Sequence, residues 1–424
     1  MIDGLKDLLS GFRNRNGMSI FYATILARIL SFFTSWIALQ LIDSKDLGVV
    51  IYAFTIISFI IPISGLGLHQ SLIRYGSLSA SDTTKNQIFK YVLNKGLISS
   101  VVLVLLIILI SLLFKSYFLN GINYLIILSF AIPTFFLLEI VKVQYRLKHQ
   151  NKTFALVEVS YNILLIILVT ILSYTYKEMG YAIALVIAPL LTSVLFIKKL
   201  NIDFKIKVKP DIINFGFWKY GFFASLSNVA TKFLTAIDII LIGYLLKNSE
   251  MVTVYKYISL IPLSLLFISQ VFITTDFVNL TENIYNKNYI KKYIKNYMFL
   301  FVFISICIGF SSWLFAEDLL LFFGTEFVNY KASFLVLILG AIGILILRGL
   351  YGNLLSIIGK ANINYYIAIS AIVLNVILNY YLIPNYGIYG AALTSTLLMW
   401  VTGIISCFAF YKLYKKFLVH QKLE

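Results

Sequence analysis

Apolar runs of about 20 residues recur along the whole chain, and they constrain the fold more than any other feature of the sequence. A helix rises about 1.5 Å per residue, so a run of this length covers the ~30 Å hydrocarbon core of a bilayer. In lipid, only helices and closed barrels satisfy every backbone hydrogen bond. With 60% hydrophobic and 12% charged residues, the chain is too apolar for a soluble globular domain. The sequence therefore predicts an all-α integral membrane protein.

These runs predict about twelve transmembrane helices in two sets of six. The predicted spans are residues 18–41, 47–68, 88–113, 122–141, 154–174, 180–197, 217–245, 252–275, 297–315, 333–357, 364–382 and 388–411. The predicted regions are a cytoplasmic amphipathic N-terminus (1–16), an N-terminal six-helix lobe (17–200), a basic cytoplasmic linker (201–216), a C-terminal six-helix lobe (217–411) and a cytoplasmic tail (412–424).

The connecting segments carry most of the formal net charge of +17. About 23 Lys and Arg lie on one side of the predicted spans, including the cluster Lys142–Lys152, which is expected in a loop. About five lie on the other side. By the positive-inside rule both termini are cytoplasmic, which agrees with an even number of spans. The charge therefore indicates membrane topology, and no nucleic-acid partner is expected.

Two segments of the first half resemble segments of the second. Residues 47–62 match 249–266, with Tyr52 opposite Tyr255, and residues 159–185 match 373–393, with Asn162 opposite Asn375. Because each half has six spans, both halves begin on the same side, and the repeat is parallel about an axis along the membrane normal. This predicts two lobes that face each other across a central cleft and work by alternating access.

Each half also places a cation inside an apolar helix, on a stripe of polar residues with the same spacing. The positions are Thr24, Arg28 and Ser31 in the first half and, about 204 residues later, Asn228, Lys232 and Thr235 in the second. A cation at the centre of a membrane helix costs about 2.5–3.5 kcal/mol on insertion scales. Polar residues at helical spacing mark a face turned away from lipid. The pattern indicates a cationic cavity for an anionic substrate; a buried ion pair that fixes helix packing is the alternative.

Further ionisable residues fall within the predicted spans. Arg348 and Lys256 are additional candidates for the cationic cavity, although Lys256 is close enough to the span end to snorkel. Asp238 and Glu139 are candidate polar cavity groups or sites for a coupling ion. Glu158, near the end of its span, is expected to be structural.

Catalytic and cofactor motifs are absent from the sequence. It contains no GxxxxGK[ST] stretch for nucleotide phosphates, and none of its three histidines stands beside another type of metal ligand. We therefore expect a transporter without cofactor or metal, and not an enzyme.

Two stretches carry a family resemblance. DLGVVIYAFTIISFIIPISGLGLHQSLIRYGS (residues 46–77) and LNVILNYYLIPNYGIYGAALTSTL (from residue 374) resemble bacterial polysaccharide exporters of the Wzx type, in the multidrug/oligosaccharidyl-lipid/polysaccharide exporter (MOP) superfamily. The resemblance implies a flippase for undecaprenyl-diphosphate-linked oligosaccharide repeat units of O-antigen or capsule in the bacterial inner membrane. It implies the lipid-linked glycan and membrane lipids as partners, with a glycan polymerase and a chain-length regulator beside them. Arg28 and Lys232 are the positions that match a cationic cavity.

Two other functions are weighed against the flippase. A multidrug or cation antiporter on the same fold would need carboxylates in its cleft, but the first predicted span carries Arg28 and no acid between Ile20 and Leu41. A membrane-embedded glycan polymerase or ligase would need a large external loop or a catalytic cluster, and the sequence shows neither.

Overall fold

Every regular element is a helix in the residues that the computed structural model describes, which are 17–78, 81–113, 121–148, 150–200, 213–358 and 360–420. In order these are α1 (Gly17–Leu41), α2 (Ser44–Ile60), a 3-10 segment (Ile61–Gly67), α3 (Leu68–Leu78), α4 (Asp82–Leu113), α5 (Ile122–Ser129), α6 (Ala131–Leu147) and α7 (Asn151–Lys199). Then follow α8 (Phe215–Leu246), α9 (Ser249–Glu282), α10 (Lys287–Leu314), α11 (Ala316–Leu321), a second 3-10 segment (Thr325–Tyr330), α12 (Lys331–Gly343), a π-helical turn (Ile344–Arg348), α13 (Gly349–Ile357) and α14 (Ala361–His420). The predicted amphipathic N-terminus and linker residues 201–212 lie outside the described residues.

The long helices α7 and α14 are each interrupted by a sharp reversal. Non-helical backbone angles occur at Lys177 (φ 50°, ψ −129°) and Gly387 (φ 57°, ψ −136°). A Cβ atom on Gly180 would lie 1.9 Å from the carbonyl oxygen of Leu172, eight residues earlier. A Cβ atom on Gly390 would lie 2.3 Å from the carbonyl oxygen of Leu382, also eight residues earlier. Eight residues of straight helix would separate those atoms by about 12 Å. Each element is therefore a hairpin of two membrane-length arms, as the predicted spans required.

Within the described ranges, eight segments are long and apolar enough to cross a membrane, and two of them contain these hairpins. Shorter apolar stretches, Ile25–Leu41 and Ala236–Leu246, lie in α1 and α8. Counting each hairpin arm, these helices agree with the predicted number of about twelve. The all-α membrane fold is confirmed, and the exact twelve-helix repeat stays a prediction. Some predicted boundaries are wrong: for example, the span expected to end at residue 68 resumes as α3 and continues to Leu78.

The chain packs as two compact units, and the first comprises residues 22–253. Its apolar core includes Leu72, Phe89, Phe136 and Tyr145 from α3, α4 and α6, together with Phe217 of α8. Helix α8 therefore packs with the helices that precede it. The predicted lobes, 17–200 and 217–411, were defined by the repeat and not by contacts, so they stay a prediction.

The second unit comprises residues 254–424 with 1–21. Its core is rich in aromatic rings, with Tyr297 stacked on Phe301 at a centroid distance of 4.2 Å and Phe410 stacked on Tyr414 at 5.1 Å. Stacked and edge-to-face ring pairs contribute about 0.5–1.5 kcal/mol beyond their buried area. Helix α14 continues to His420, beyond the predicted span end at residue 411, and its Phe417 and Leu418 pack against this core.

Small residues bring α8 close to the broken helix α2–α3. Gly67 has a left-handed backbone (φ 73°), and a Cβ atom there would lie 2.1 Å from Ser225 Oγ and 2.2 Å from the carbonyl oxygen of Gly221. Beside it, Ser71 Oγ donates a hydrogen bond of 2.5 Å to the carbonyl oxygen of Phe217. Small residues let helix backbones approach closely in membranes. The contact leaves no room for a larger residue at position 67.

We expect Gly67→Ala to lower the free energy of unfolding by about 1–3 kcal/mol, because it adds a clash to a backbone conformation that L-residues rarely adopt. Thermal unfolding of the detergent-purified protein measures the effect. Gly309→Ala is the matched control, since its Cβ atom would meet only Ile342 at 3.5 Å. Equal melting temperatures for the two variants would show that the close contact at Gly67 does not matter.

Candidate functional site

Helix α1 has two exposed faces of opposite polarity. One face carries the exposed apolar residues Leu26, Ile29 and Phe33. Arg28 and Ser31 are also exposed, and each lies two residues, or about 200° around the helix, from an exposed apolar residue. In a membrane protein an exposed apolar face suits lipid, whereas an exposed polar face opposite it suits water. Arg28 and Ser31, two residues of the predicted polar stripe, therefore lie on an exposed face of α1 opposite its apolar face.

Arg28 makes no hydrogen bond or ion pair within the described part of the chain. The alternative reading of Arg28, a buried ion pair that fixes helix packing, therefore lacks a described partner. The side chain of Thr24 lies outside the described residues.

Helix α8 repeats this arrangement at Asn228. Leu226 is exposed on the apolar side, and Asn228, two residues further, is exposed on the opposite side. Asp238 is 4% exposed and is engaged by other groups of the protein. The side chains of Lys232 and Thr235 fall in the part of α8 whose side chains the structure does not describe. Arg28, Asn228 and Asp238 all belong to the unit 22–253.

Arg348 is held by neutral side chains at the end of the π-helical turn. Its Nη1 donates to Asn364 Oδ1 at 3.1 Å and to Ser406 Oγ. Both acceptors are oriented by their own donors, because Asn364 Nδ2 donates to the carbonyl oxygen of Gly352 at 2.6 Å and Ser406 Oγ donates to that of Thr402 at 2.7 Å. The other three guanidinium N–H groups have no partner among the described residues. Arg348 is therefore oriented but not neutralised.

Lys256, the other predicted cation of the unit 254–424, is half-buried on α9 and engaged by other groups of the protein. The structure thus divides the predicted residues between the two units. Glu139, with Arg28 and the α8 residues, belongs to the first, whereas Arg348 and Lys256 belong to the second.

Glu139 belongs to a cluster of three charges that the sequence reading missed. Lys142 Nζ lies 2.9 Å from Glu139 Oε1 and 2.8 Å from Glu158 Oε2. The lysine side chain is 15% exposed, against 41% for Glu139 and 36% for Glu158. The prediction that Lys142 lies in a loop is wrong, because α6 continues to Leu147 and keeps Lys142 inside the helix. The i,i+3 spacing of Glu139 and Lys142 is the sequence signal that indicates the pair.

Glu158 comes from α7, so the cluster joins two helices. With two carboxylates and one ammonium group it carries an excess formal charge of −1. The imidazole of His69, in α3, is buried, and its Nδ1 has no hydrogen-bond partner among the described residues. No group of three or more His, Cys, Asp and Glu side chains that could hold a metal occurs in the described residues.

Comparison with known proteins decides the family. The family model described as "Polysaccharide biosynthesis protein" matches residues 14–273, more than half of the chain. The chain belongs to this polysaccharide biosynthesis family. Over 110 residues it is 37% identical to the capsular polysaccharide biosynthesis protein CapF of Staphylococcus aureus, a match that spans 25% of this chain and 27% of CapF.

Two solved structures show the same fold. The lipid II flippase MurJ in an inward closed conformation has a TM-score of 0.69 and 20% identity, covering 95% of this chain and 90% of MurJ. An inward-facing multidrug resistance MATE transporter of the MOP superfamily has a TM-score of 0.67 and 14% identity, covering 92% and 94%. This member of the polysaccharide biosynthesis family therefore has the fold of MOP transporters, and the predicted family resemblance is confirmed.

We expect Lys142→Met to destabilise the protein by about 1–3 kcal/mol, because two carboxylates then face each other without a cation. This loss of stability is smaller than the loss expected for a fully buried ion pair, since both glutamates are partly exposed to solvent. Thermal unfolding in detergent measures the loss. The triple variant, which combines Lys142→Met with Glu139→Gln and Glu158→Gln, should recover most of the lost stability.

Lys331→Met is the matched control. It breaks a pair of similar length, 2.8 Å to Glu317, whose side chains are both well exposed. It should leave the melting temperature almost unchanged. If Lys142→Met were no more destabilising than Lys331→Met, the cluster would not stabilise the packing of α6 against α7.

Proposed function

We propose that this protein is a flippase that moves undecaprenyl-diphosphate-linked oligosaccharide repeat units, for O-antigen or capsule, across the bacterial inner membrane by alternating access. The observation that carries the proposal is that two arginines in apolar helices lack an acidic partner among the described residues. Arg28 is exposed on a polar face and Arg348 is held only by neutral side chains, and neither has an acidic partner in the described residues. Membership of the polysaccharide biosynthesis family supplies the glycan context.

The cost of these charges argues for an anionic cargo. An arginine near the middle of a membrane helix costs about 2.5–3.5 kcal/mol on insertion scales. The protein offsets this cost for Lys142 with two carboxylates, yet leaves Arg28 and Arg348 unneutralised. A lipid diphosphate carries about two negative charges and cannot cross hydrocarbon bare. Positive groups in a solvated path lower that barrier.

Arginine also fits the geometry of the diphosphate. Its planar fork presents parallel N–H donors that bind two phosphate oxygens at once. Arg348 retains three such donors after contacting Asn364 and Ser406, so its fork is oriented while one edge stays available. Lys232 and Lys256 are the further cations that we assign to the path, as point charges.

The neutral polar residues suit the sugar part of the cargo. Ser31 and Asn228 are exposed beside the cationic positions and offer the donors and acceptors that sugar hydroxyls require. We assign the same role to Thr24 and Thr235 and place Asp238 in the polar path. The chemistry proposed is translocation without covalent change, so purified protein should return the lipid-linked glycan intact.

We assign ion coupling to the Glu139–Lys142–Glu158 cluster. Its two carboxylates are partly exposed and outnumber its one ammonium group, so a proton or another cation can bind there without displacing Lys142. Flipping of lipid-linked glycan in proteoliposomes should respond to an imposed proton or sodium gradient, and Glu139→Gln should abolish that response. A response retained in Glu139→Gln would remove the assignment.

The cellular setting follows from the same proposal. The lysine-rich helix ends, and both termini with them, would face the cytoplasm of the bacterium, where the lipid-linked repeat unit is made. A glycan polymerase and a chain-length regulator would use the unit after it has crossed. Single cysteines are introduced into the lysine-rich helix ends, and their labelling in intact cells tests this orientation. Labelling from outside the cell would contradict it.

We expect Arg28→Gln and Arg348→Gln each to lower surface glycan by about tenfold or more, which corresponds to the loss of a charged hydrogen-bonding partner for phosphate. Surface glycan is measured in cells with matched amounts of each variant in the membrane. Lys198→Gln, which removes an exposed lysine at the end of α7, is the charge-matched control and should be silent. Normal glycan in both arginine variants would refute the cationic path.

A susceptibility panel on a deletion strain separates the flippase from a multidrug antiporter. We expect lost surface glycan with unchanged resistance to cationic drugs. The reverse pattern, normal glycan with drug sensitivity, would replace the flippase by the antiporter.

A further inference from the structure

A groove of about 810 Å³ opens between the start of α10 and the end of α14, within the unit 254–424. Its lining residues are Tyr285, Lys287, Ile290, Lys291, Ile294, Phe410, Tyr411, Tyr414, Lys415 and Leu418. None of the residues discussed above as part of the transport path lines it. The groove therefore requires an explanation of its own.

The floor of the groove is apolar and built from fixed aromatic rings. Tyr414 stacks on Phe410, with ring centroids 5.1 Å apart, and its hydroxyl donates to the carbonyl oxygen of Ile284 at 2.7 Å. The hydroxyl of Tyr411 lies 3.2 Å from that of Tyr351. With their hydroxyl groups engaged within the protein, these side chains present ring surface to the groove, together with Ile290 and Ile294. Such a floor suits hydrocarbon.

The rim of the groove is positively charged. Lys287, Lys291 and Lys415 are exposed, and no acidic residue is found among the groove's described lining. None of the three lysines forms an ion pair with a described residue. Lys287 and Lys291 also lie in the first turns of α10, where the helix dipole adds partial positive charge. Three exposed lysines thus line a groove whose other lining residues are apolar or aromatic.

We propose that this groove binds an anionic phospholipid of the surrounding membrane, with its phosphate at the three lysines and an acyl chain against the aromatic floor. Basic pockets between transmembrane helices bind headgroups of cardiolipin type. Cardiolipin, with two phosphates, matches three lysines better than a lipid with a single charge. At about 30 Å³ per water-sized group, the groove is also far larger than one phosphate ion requires.

Native mass spectrometry of the full-length purified protein, titrated with cardiolipin or phosphatidylcholine, tests the proposal. The groove variant replaces Lys287, Lys291 and Lys415 by Gln. The control variant replaces Lys292, Lys295 and Lys412 by Gln, which removes three exposed lysines from the same two helices but outside the groove. We expect cardiolipin to bind the groove variant at least about tenfold more weakly than the control, and phosphatidylcholine to bind neither variant specifically.

Three results would overturn the proposal. Equal weakening in both variants would show that overall surface charge, and not the groove, binds the lipid. Full displacement of cardiolipin by inorganic phosphate would make the site an anion site without a lipid component. Preference for a polyprenyl diphosphate over cardiolipin would make it a cargo site. Melting temperatures of both variants in lipid-free detergent check that they fold, and export of glycan is not the readout, so the result is independent of the proposed function.

Discussion

The hydrocarbon core of a membrane offers the peptide backbone no hydrogen-bond partner, and the architecture of this protein follows from that constraint. Helices supply partners within the segment, so the described elements are helical. At the break between α2 and α3, a freed backbone group is satisfied inside the protein. The amide of Gly65, in the 3-10 break between α2 and α3, donates to Ser100 Oγ of α4 at 2.8 Å. The break is thus tied to its neighbour, and the left-handed Gly67 beside it admits α8.

The same constraint makes each intramembrane charge costly, and the protein treats its charges in three ways. Lys142 lies between two carboxylates, which neutralise it and join α6 to α7. Arg348 is hydrogen-bonded by neutral side chains that fix its direction but keep its charge. Arg28 is exposed on the polar face of α1. Because the last two arrangements retain a full positive charge, they favour an anionic cargo over a cationic one, within a fold that is shared with transporters of different substrates.

Local sequence patterns were sufficient for the helices, but not for contacts between them. Helical periodicity places Arg28 and Ser31 on one polar face. The apolar runs also predict each of the two hairpins as a pair of separate spans. The apolar run ends at residue 141 and so predicts a loop at Lys142, whereas α6 continues to Leu147 and Lys142 pairs with Glu158 of α7. That partner lies on another helix, as Asn364 and Ser406 do for Arg348. Such pairings depend on tertiary packing, and a single sequence does not contain them.

The distribution of arginine and lysine follows from their different chemistry. A lysine that is buried without an acid loses its proton readily, whereas arginine stays charged in nearly any environment. Arginine can therefore hold a fixed charge in the membrane with neutral neighbours, as Arg348 does, while Lys142 requires its two carboxylates. The lysines of α10 and α14 that line the groove are exposed near helix ends, where we propose that they bind lipid phosphate. In the two roles that we propose, one sign of charge serves two purposes: the arginines bind what crosses the membrane, and the lysines bind the membrane itself.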